Sequence, residues 1–223
     1  MLPHREAGSA QKQPMFAHQL RRALFVSALT LLAAGLTLCV GTTASRANDG
    51  GVNPGSWCGG TLWRLMTLSD GERQSVELKG SPTTIAEISK LEAPKRVTPE
   101  RTTSFQKRLW SLHAVIDRYR IASNGEIILI LYSIETAQYM NVYLPNPHCL
   151  GAQARDRTGM IAARKELTSH CPQVLWSWQL LGITVDLTGV GFWNPSTVTR
   201  GALRNGAELR PLTNFKILSG CGI

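Results

Sequence analysis

A turn dipeptide between two apolar runs constrains the fold more than any other feature of this sequence. Asn124-Gly125 favours a tight hairpin turn, because both residue types accept the left-handed backbone that such turns require. The run that follows, residues 126–134, is apolar and rich in β-branched side chains, and residues 109–121 before it alternate between apolar and polar side chains. The sequence therefore predicts an antiparallel hairpin with strands at 109–121 and 126–134.

The second half of the chain continues with elements of both kinds. A third strand is predicted at 138–144, where Pro145 follows, and a helix is predicted at 158–170. Two more strands are predicted at 182–192 and 207–218, and Pro211 interrupts the last of them.

Two short elements are predicted upstream of the hairpin. Residues 62–68 are interpreted as a short strand. A short helix is predicted near Ser81-Pro82, since serine can cap a helix and proline suits its first position. Thr84 and Glu87 in the same segment have the spacing of a capping box.

Three strands, a helix and two more strands is the element order of an OB-type barrel. The chain has 223 residues, of which 43% are hydrophobic and 17% charged, which suits one domain with appendages and excludes a disordered chain. We therefore predict a mainly β (α+β) fold. Residues 109–223 form a five-stranded OB-like barrel with a helix between strands 3 and 4. Residues 48–108 form an N-terminal extension with the short helix, the short strand and a basic loop.

Residues 1–47 have the features of an export signal. The uncharged apolar run 23–41 directly follows Arg21-Arg22, and Ser45-Arg46-Ala47 fits a signal-peptide cleavage site. An uncleaved membrane anchor is the alternative, because a run of this length could just span a bilayer. Translation could begin at Met1 or at Met15. A signal peptide predicts a secreted bacterial protein, either extracellular or periplasmic.

Removal of residues 1–47 would leave four of the five cysteines: Cys58, Cys149, Cys171 and Cys221. An even number of cysteines in an exported protein favours disulfide bonds, and four cysteines allow three pairings. We take Cys58 with Cys149 and Cys171 with Cys221 as the expected pairing. No cysteine and histidine spacing fits a zinc site, so no metal is expected, and no cofactor is expected either.

Removal of residues 1–47 would also lower the formal net charge, which is +9 for the full chain. Residues 1–47 hold five of the 24 basic and one of the 15 acidic residues, which leaves 19 against 14, or +5. The segment 95–108 supplies five basic residues and one acidic residue, and we interpret it as a solvated connecting loop in preference to a phosphate-binding patch. A nucleic-acid partner is therefore not favoured, although it stays open. Membrane contact is expected only through an uncleaved N-terminal segment.

Six segments carry a resemblance to known proteins: residues 81–86, 112–114, 125–131, 140–149, 188–192 and 205–209. In these segments the chain resembles a group of secreted bacterial proteins without assigned function, and the resemblance implies an OB-fold or staphylococcal-nuclease-like barrel. Nuclease chemistry is not implied. The turn at 124–127 keeps only the carboxylate of Glu126, and residues 140–148 lack the arginine and the acidic residues of that family.

The face of the predicted second and third strands is the first candidate for a binding surface. Three tyrosines lie on these strands, and two arginines on the neighbouring strand could neutralise phosphate or carboxylate groups. A tryptophan follows the fourth predicted strand, where OB barrels often bind ligands. The ligand-binding candidates are Arg118, Arg120, Tyr132, Tyr139, Tyr143 and Trp193.

A different set of residues could support catalysis. His113, Glu126 and Glu208, with Asp186, lie on or beside strands of the predicted barrel, and a histidine with a carboxylate can perform acid–base chemistry. The competing interpretation is that these side chains make local hydrogen bonds. We predict an exported OB-like binding or interaction domain for an unknown extracellular or envelope ligand, in preference to an enzyme. A divergent secreted hydrolase is the alternative.

Overall fold

The computed structural model of the protein describes residues 58–221. The predictions that concern the signal peptide, the uncleaved anchor and the start at Met1 or Met15 lie outside the described residues.

Six strands and three α-helices make up the described domain. The strands are β1 (Glu77–Pro82), β2 (Arg108–Ile121), β3 (Ile127–Ser133), β4 (Gln138–Leu144), β5 (Gln179–Trp193) and β6 (Ala207–Ser219). The helices are α1 (Trp63–Met66), α2 (Ile85–Ser89) and α3 (Arg157–His170), and 3₁₀ turns lie at Arg73–Ser75, Ser104–Lys107 and Pro147–Cys149.

All six strands belong to one sheet, in the order β1-β2-β3-β4-β6-β5. A further antiparallel pairing joins β5 to β2, so that five of the strands close into a ring. Strand β1 adds to the ring as a parallel neighbour of β2. The ring is not a regular barrel, because β4 and β6 are joined by a single parallel pair, Val142 with Leu209. The fold is mainly β, as predicted.

The predicted hairpin around Asn124-Gly125 is confirmed. Strands β2 and β3 pair in antiparallel register from Ile121 opposite Ile127, and Gly125 has a φ of +76° at the turn. The backbone amide of Gly125 donates to the carbonyl of Ala122 and closes the turn. The local turn chemistry therefore fixes the register of two strands that both contribute to the core.

Alternate side chains of β3 and β4 face the hydrophobic core. Leu129 and Leu131 on β3 lie among the buried residues together with Met140 and Val142 on β4. The helices contribute to the same core through Ile85 and Ile88 of α2 and Ala163 and Leu167 of α3. The helix α2, which precedes residue 109, is thus packed in the same core as the strands.

The short strand predicted at residues 62–68 is wrong. Residues 62–68 contain the short helix α1 and no strand, since the hydroxyl of Thr67 and the backbone of the same segment bond back to Trp63. The strand of this region is β1, which the sequence did not reveal because its residues show no apolar alternation: most are exposed and only one edge is paired, with β2.

The capping box predicted for the short helix is present. The amide of Glu87 donates to Thr84 Oγ1 and the amide of Thr84 donates to Glu87 Oε2. Ser81 and Pro82 belong to β1, so they do not start the helix as predicted.

The basic segment 95–108 is not simply a solvated loop. Arg101 is buried and its guanidinium forms a 2.7 Å ion pair with Asp70. The same guanidinium donates to the carbonyl oxygens of Leu65 and Gln106. Arg101 therefore ties the segment to the region of α1, and its charge is not available to a ligand.

Both expected disulfides are present, Cys58 with Cys149 and Cys171 with Cys221. Disulfides of this kind persist in oxidising environments, so the pair is consistent with such a location. Within residues 58–221, none of the helices has the length and apolar character needed to cross a membrane.

Candidate ligand-binding site

The outer face of β3 and β4 is the surface where the sequence places its binding candidates. Side chains that point away from the core form three cross-strand pairs: Ile128 with Tyr143, Ile130 with Asn141, and Tyr132 with Tyr139. Only the last pair is accessible, with Tyr139 44% exposed and Tyr132 half-buried. The face is therefore covered over most of its length, and the β5–β6 loop, residues 194–206, supplies part of the cover through Gly201.

A cavity of about 180 Å³ remains between this loop and the sheet. Arg118 on β2 and Tyr139 on β4, both binding candidates from the sequence, lie in its wall. Arg200 and Gly201 close it from the loop side. The fold thus brings together residues that are about twenty to eighty positions apart in the chain, which is typical of a ligand pocket positioned by a rigid sheet.

The charges around the cavity are unequal. Arg118 Nε donates to Asp117 Oδ2 at 3.0 Å, and both side chains are about 30% exposed. Arg200 is exposed and has no hydrogen bond or ion pair with any residue in the described range 58–221. The wall therefore carries two guanidinium groups and one carboxylate, and one guanidinium is free to bind a ligand.

Asn141 adjoins the cavity and has no hydrogen-bond partner for its side chain. Its exposure is 0%, and neither its amide nitrogen nor its oxygen is hydrogen-bonded within the described part of the chain. It lies beside two wall residues, since it pairs with Ile130 across the strands and lies directly under Gly201. An unpaired buried amide costs about 1–3 kcal/mol, so this residue suggests a missing polar partner.

Tyr139, in the wall of the cavity, forms an aromatic pair with Tyr132, which lies outside that wall. Their ring centroids are 4.9 Å apart and the planes are inclined at 39°. The pair presents a partly exposed aromatic surface next to the charged wall, where a ring or another flat group could stack.

Tyr143, the third tyrosine of the prediction, is not on the accessible surface. Its exposure is 4%, and the guanidinium of Arg210 lies 4.2 Å from its ring centroid. Arg210 also pairs with the fully buried carboxylate of Glu126, to which its Nε donates at 3.0 Å. Tyr143 and Glu126 are therefore parts of a buried polar cluster and do not lie on the accessible surface.

Glu208 completes the buried cluster. Its Oε1 accepts hydrogen bonds from Tyr143 Oη and Asn194 Nδ2, at 3.2 and 2.9 Å. Its Oε2 has no partner in the described range, and burial raises the pKa of Glu208 to about 7. Asn194 lies at the base of the β5–β6 loop, where its backbone amide donates to the backbone carbonyl of Gly206. Glu208 therefore connects the sheet to the loop that covers the cavity.

The structure does not assemble the predicted hydrolase site. His113 Nδ1 lies 2.8 Å from Asp186 Oδ1, and the two side chains are 67% and 56% exposed on the outside of the ring. Glu126 precedes Ile127, which pairs with Ile121 at the far end of β2. Ile121 is eight residues along the strand from His113, which corresponds to roughly 25 Å at the rise of a β-strand. Only the pairing of His113 with Asp186 survives from that hypothesis.

Trp193 and Arg120 were also predicted to contact a ligand. Trp193 is 1% exposed and its Nε1 donates to Thr103 Oγ1, so it is a core residue. The guanidinium of Arg120 lies 4.9 Å from the ring centroid of Trp178 and is held there by the cation–π contact. Neither residue lines the cavity.

Sequence reasoning missed five residues of the site: Asp117, Ile130, Asn141, Arg200 and Gly201. Asn141 gave a usable signal, because it is a polar residue between Met140 and Val142 in an otherwise apolar strand. The loop residues gave none, since a segment without periodicity does not indicate which strand it will cover.

A comparison with protein-family models finds no match for this chain, and a comparison with curated proteins finds none either. The function is therefore argued from the geometry of the site itself.

Proposed function

We propose that this protein is an exported binding module that holds a ligand with an anionic group in the cavity between Arg118 and Arg200. The free guanidinium of Arg200 supports this proposal, because it stands beside a second arginine in a partly enclosed space. Guanidinium groups bind phosphate, sulfate and carboxylate groups through paired hydrogen bonds. A cavity of about 180 Å³ has room for one such group and not for a whole drug-sized ligand.

The remainder of the ligand would lie over Tyr139 and Tyr132. Their partly exposed rings border the charged wall, so an aromatic or sugar ring attached to the anionic group could stack there. The amide of Asn141 would supply a donor and an acceptor beneath Gly201. The single observation that carries the proposal is the coincidence of Arg118, Arg200 and Tyr139 in one wall beside the unpartnered Asn141.

The fold class and location belong to the same proposal. The pairing order of the ring, in which β5 closes on β2 and α3 lies between β4 and β5, supports an OB-like barrel and the resemblance to secreted OB-fold or nuclease-like proteins. In such barrels the second and third strands and the loop between the last two strands form the ligand face. The two disulfides support secretion to the extracellular space or the periplasm.

Titration of phenyl phosphate into the purified domain, followed by calorimetry, tests the proposed function. We expect binding to wild type that weakens with added salt, and a loss of about 10- to 100-fold in affinity for Arg200→Gln, as for a charge-assisted hydrogen bond. Arg204→Gln is the matched control, because Arg204 is an exposed arginine of the same loop that does not line the cavity.

Two further probes separate the contributions of charge and ring. Inorganic phosphate should bind more weakly than phenyl phosphate, and phenol should not bind measurably. Equal affinities of wild type and Arg200→Gln for phenyl phosphate would contradict the proposal, as would equal losses in the two loop variants.

A further inference from the structure

We infer that a second site, on the outer faces of β2, β5 and β6, binds a neutral oligosaccharide chain. It goes beyond the anion site, since it shares no residue with that cavity. The site is a surface groove of about 520 Å³ over the outer faces of β2, β5 and β6, with Pro82 at the end of β1 and Thr83 after it as one wall.

The floor of the groove is a regular array of polar side chains. Cross-strand register places them in two rows that run across three strands, one residue from each strand in each row. The first row is Ser111, Thr188 and Asn214, and the second row is His113, Asp186 and Lys216. Each side chain is within reach of the next, because directly opposed residues of a sheet have β-carbons about 5 Å apart.

Contacts within the floor orient its groups. Asp186 Oδ1 lies 2.8 Å from His113 Nδ1, which fixes the imidazole ring and turns Nε2 away from the carboxylate. The hydroxyl groups of Ser111 and Thr188 are hydrogen-bonded to each other at 3.0 Å. The floor therefore presents oriented groups that both donate and accept hydrogen bonds.

The groove continues into a second depression of about 370 Å³, which shares Thr83 and His113 with it. Val115 and Tyr132 line this extension. The combined groove crosses four strands, β6, β5, β2 and β3, or roughly 15 Å at the spacing of strands in a sheet. Its shape fits a chain of several units and not a single small molecule.

The chemistry of the floor favours a polyhydroxylated chain over the other linear ligands. An extended peptide is usually bound through main-chain hydrogen bonds at a sheet edge, but β2 and β5 are paired on both sides at this site. An anionic chain is disfavoured because the floor has one carboxylate and one ammonium, in Asp186 and Lys216. Hydroxyl, amide and imidazole groups match sugar hydroxyls.

Calorimetric titration with three soluble hexasaccharides, of maltose, cellulose and chitin type, tests the inference. We expect at least one of them to bind, and about a fivefold loss of affinity for His113→Ala and for Asn214→Ala, as for one hydrogen bond each. Both side chains are exposed, so these variants keep the fold. His148→Ala, at an exposed histidine outside the groove, should bind as wild type does.

Arg200→Gln distinguishes this site from the anion site, since it should leave oligosaccharide binding unchanged. The inference is overturned if none of the three chains binds, if His113→Ala and Asn214→Ala bind as tightly as wild type, or if Arg200→Gln causes the loss. Binding of a (Gly-Ser)₅ peptide in the groove with no binding of the sugars would also overturn it.

Discussion

Gly201 crosses Asn141 so closely that a β-carbon on Gly201 would come within 2.7 Å of Asn141 Oδ1. The same atom would lie 2.7 Å from a methyl group of Ile130. Gly201 also has a φ of +81°, which glycine adopts without strain. The β5–β6 loop can therefore lie against the sheet beside the cavity only because this position has no side chain.

Gly201→Ala tests that contact. We expect a loss of unfolding free energy of about 2 kcal/mol or more, since backbone strain and a collision with buried atoms act together. Gly182→Ala is the matched control, because Gly182 also has a positive φ, +67°, but no atom lies within 4 Å of its added β-carbon. Denaturant unfolding of both variants measures the difference. Equal losses would show that the loop does not rest on the sheet as described.

Asn141→Leu separates a ligand-binding role from a structural one. Because neither amide atom is hydrogen-bonded within the described residues, removal of the amide should leave the unfolding free energy unchanged or raise it by about 1 kcal/mol. Binding of phenyl phosphate should weaken at the same time. Asn146→Leu is the control, since the amide of Asn146 bonds to His148 N and Asn124 O and its loss should destabilise the fold. A destabilised Asn141→Leu protein would mean that Asn141 has a structural partner.

The buried ion pair of Arg101 and Asp70 should matter more than any pair on the surface. Arg101→Met leaves the carboxylate of Asp70 buried without its partner, and we expect a loss of about 3–5 kcal/mol in unfolding free energy. The double variant with Asp70→Leu should recover part of this loss. Lys107→Met removes a pair with Glu72 whose side chains are both about 40% exposed, and it should cost less than about 1 kcal/mol. Similar losses for Arg101→Met and Lys107→Met would contradict the burial of the Arg101 pair.

This ion pair also shows where sequence reasoning stops. Alternation and turn chemistry are local, so they predicted β2, β3, β4 and the capping box of α2 within one or two residues. Arg101 and Asp70 are 31 positions apart, and nothing near either residue indicates that they meet. The same limit applies to the site: Arg118 and Tyr139 could be selected as exposed strand residues, but Arg200 depends on the path of a loop. Tyr143 was misplaced because the covering of an outer sheet face by other elements leaves no periodic signal. Trp193 was misplaced because it packs into the core at the end of β5 and not into the loop that follows.

Glu208 should make stability depend on pH. Burial raises its pKa to about 7 from 4.5, so between these values the folded protein binds more protons than the unfolded chain. Its contribution to stability is therefore complete below about pH 4.5 and is lost as the pH rises through 7, by an amount on the order of 3 kcal/mol.

Glu208→Gln should remove this dependence, because glutamine keeps an acceptor for Tyr143 and Asn194 and carries no ionisable group. The difference in unfolding free energy between pH 5 and pH 8 should be smaller in this variant than in wild type. Glu92→Gln, at an exposed glutamate, should retain the wild-type difference. A wild-type pH profile in Glu208→Gln would show that another group is responsible.

The central claim is that the cavity between Arg118 and Arg200 holds an anionic group, and a nitrogen-detected NMR titration with phenyl phosphate tests it most directly. The side-chain signals of Arg118 and Arg200 report on the cavity itself, and that of Asn141 reports on the layer directly beneath Gly201. Arg120, which lies on Trp178, serves as an internal reference. We expect the first three signals to shift together and to saturate with one dissociation constant, while the signal of Arg120 stays in place. Unchanged signals of Arg118 and Arg200 at saturating phenyl phosphate would contradict the claim.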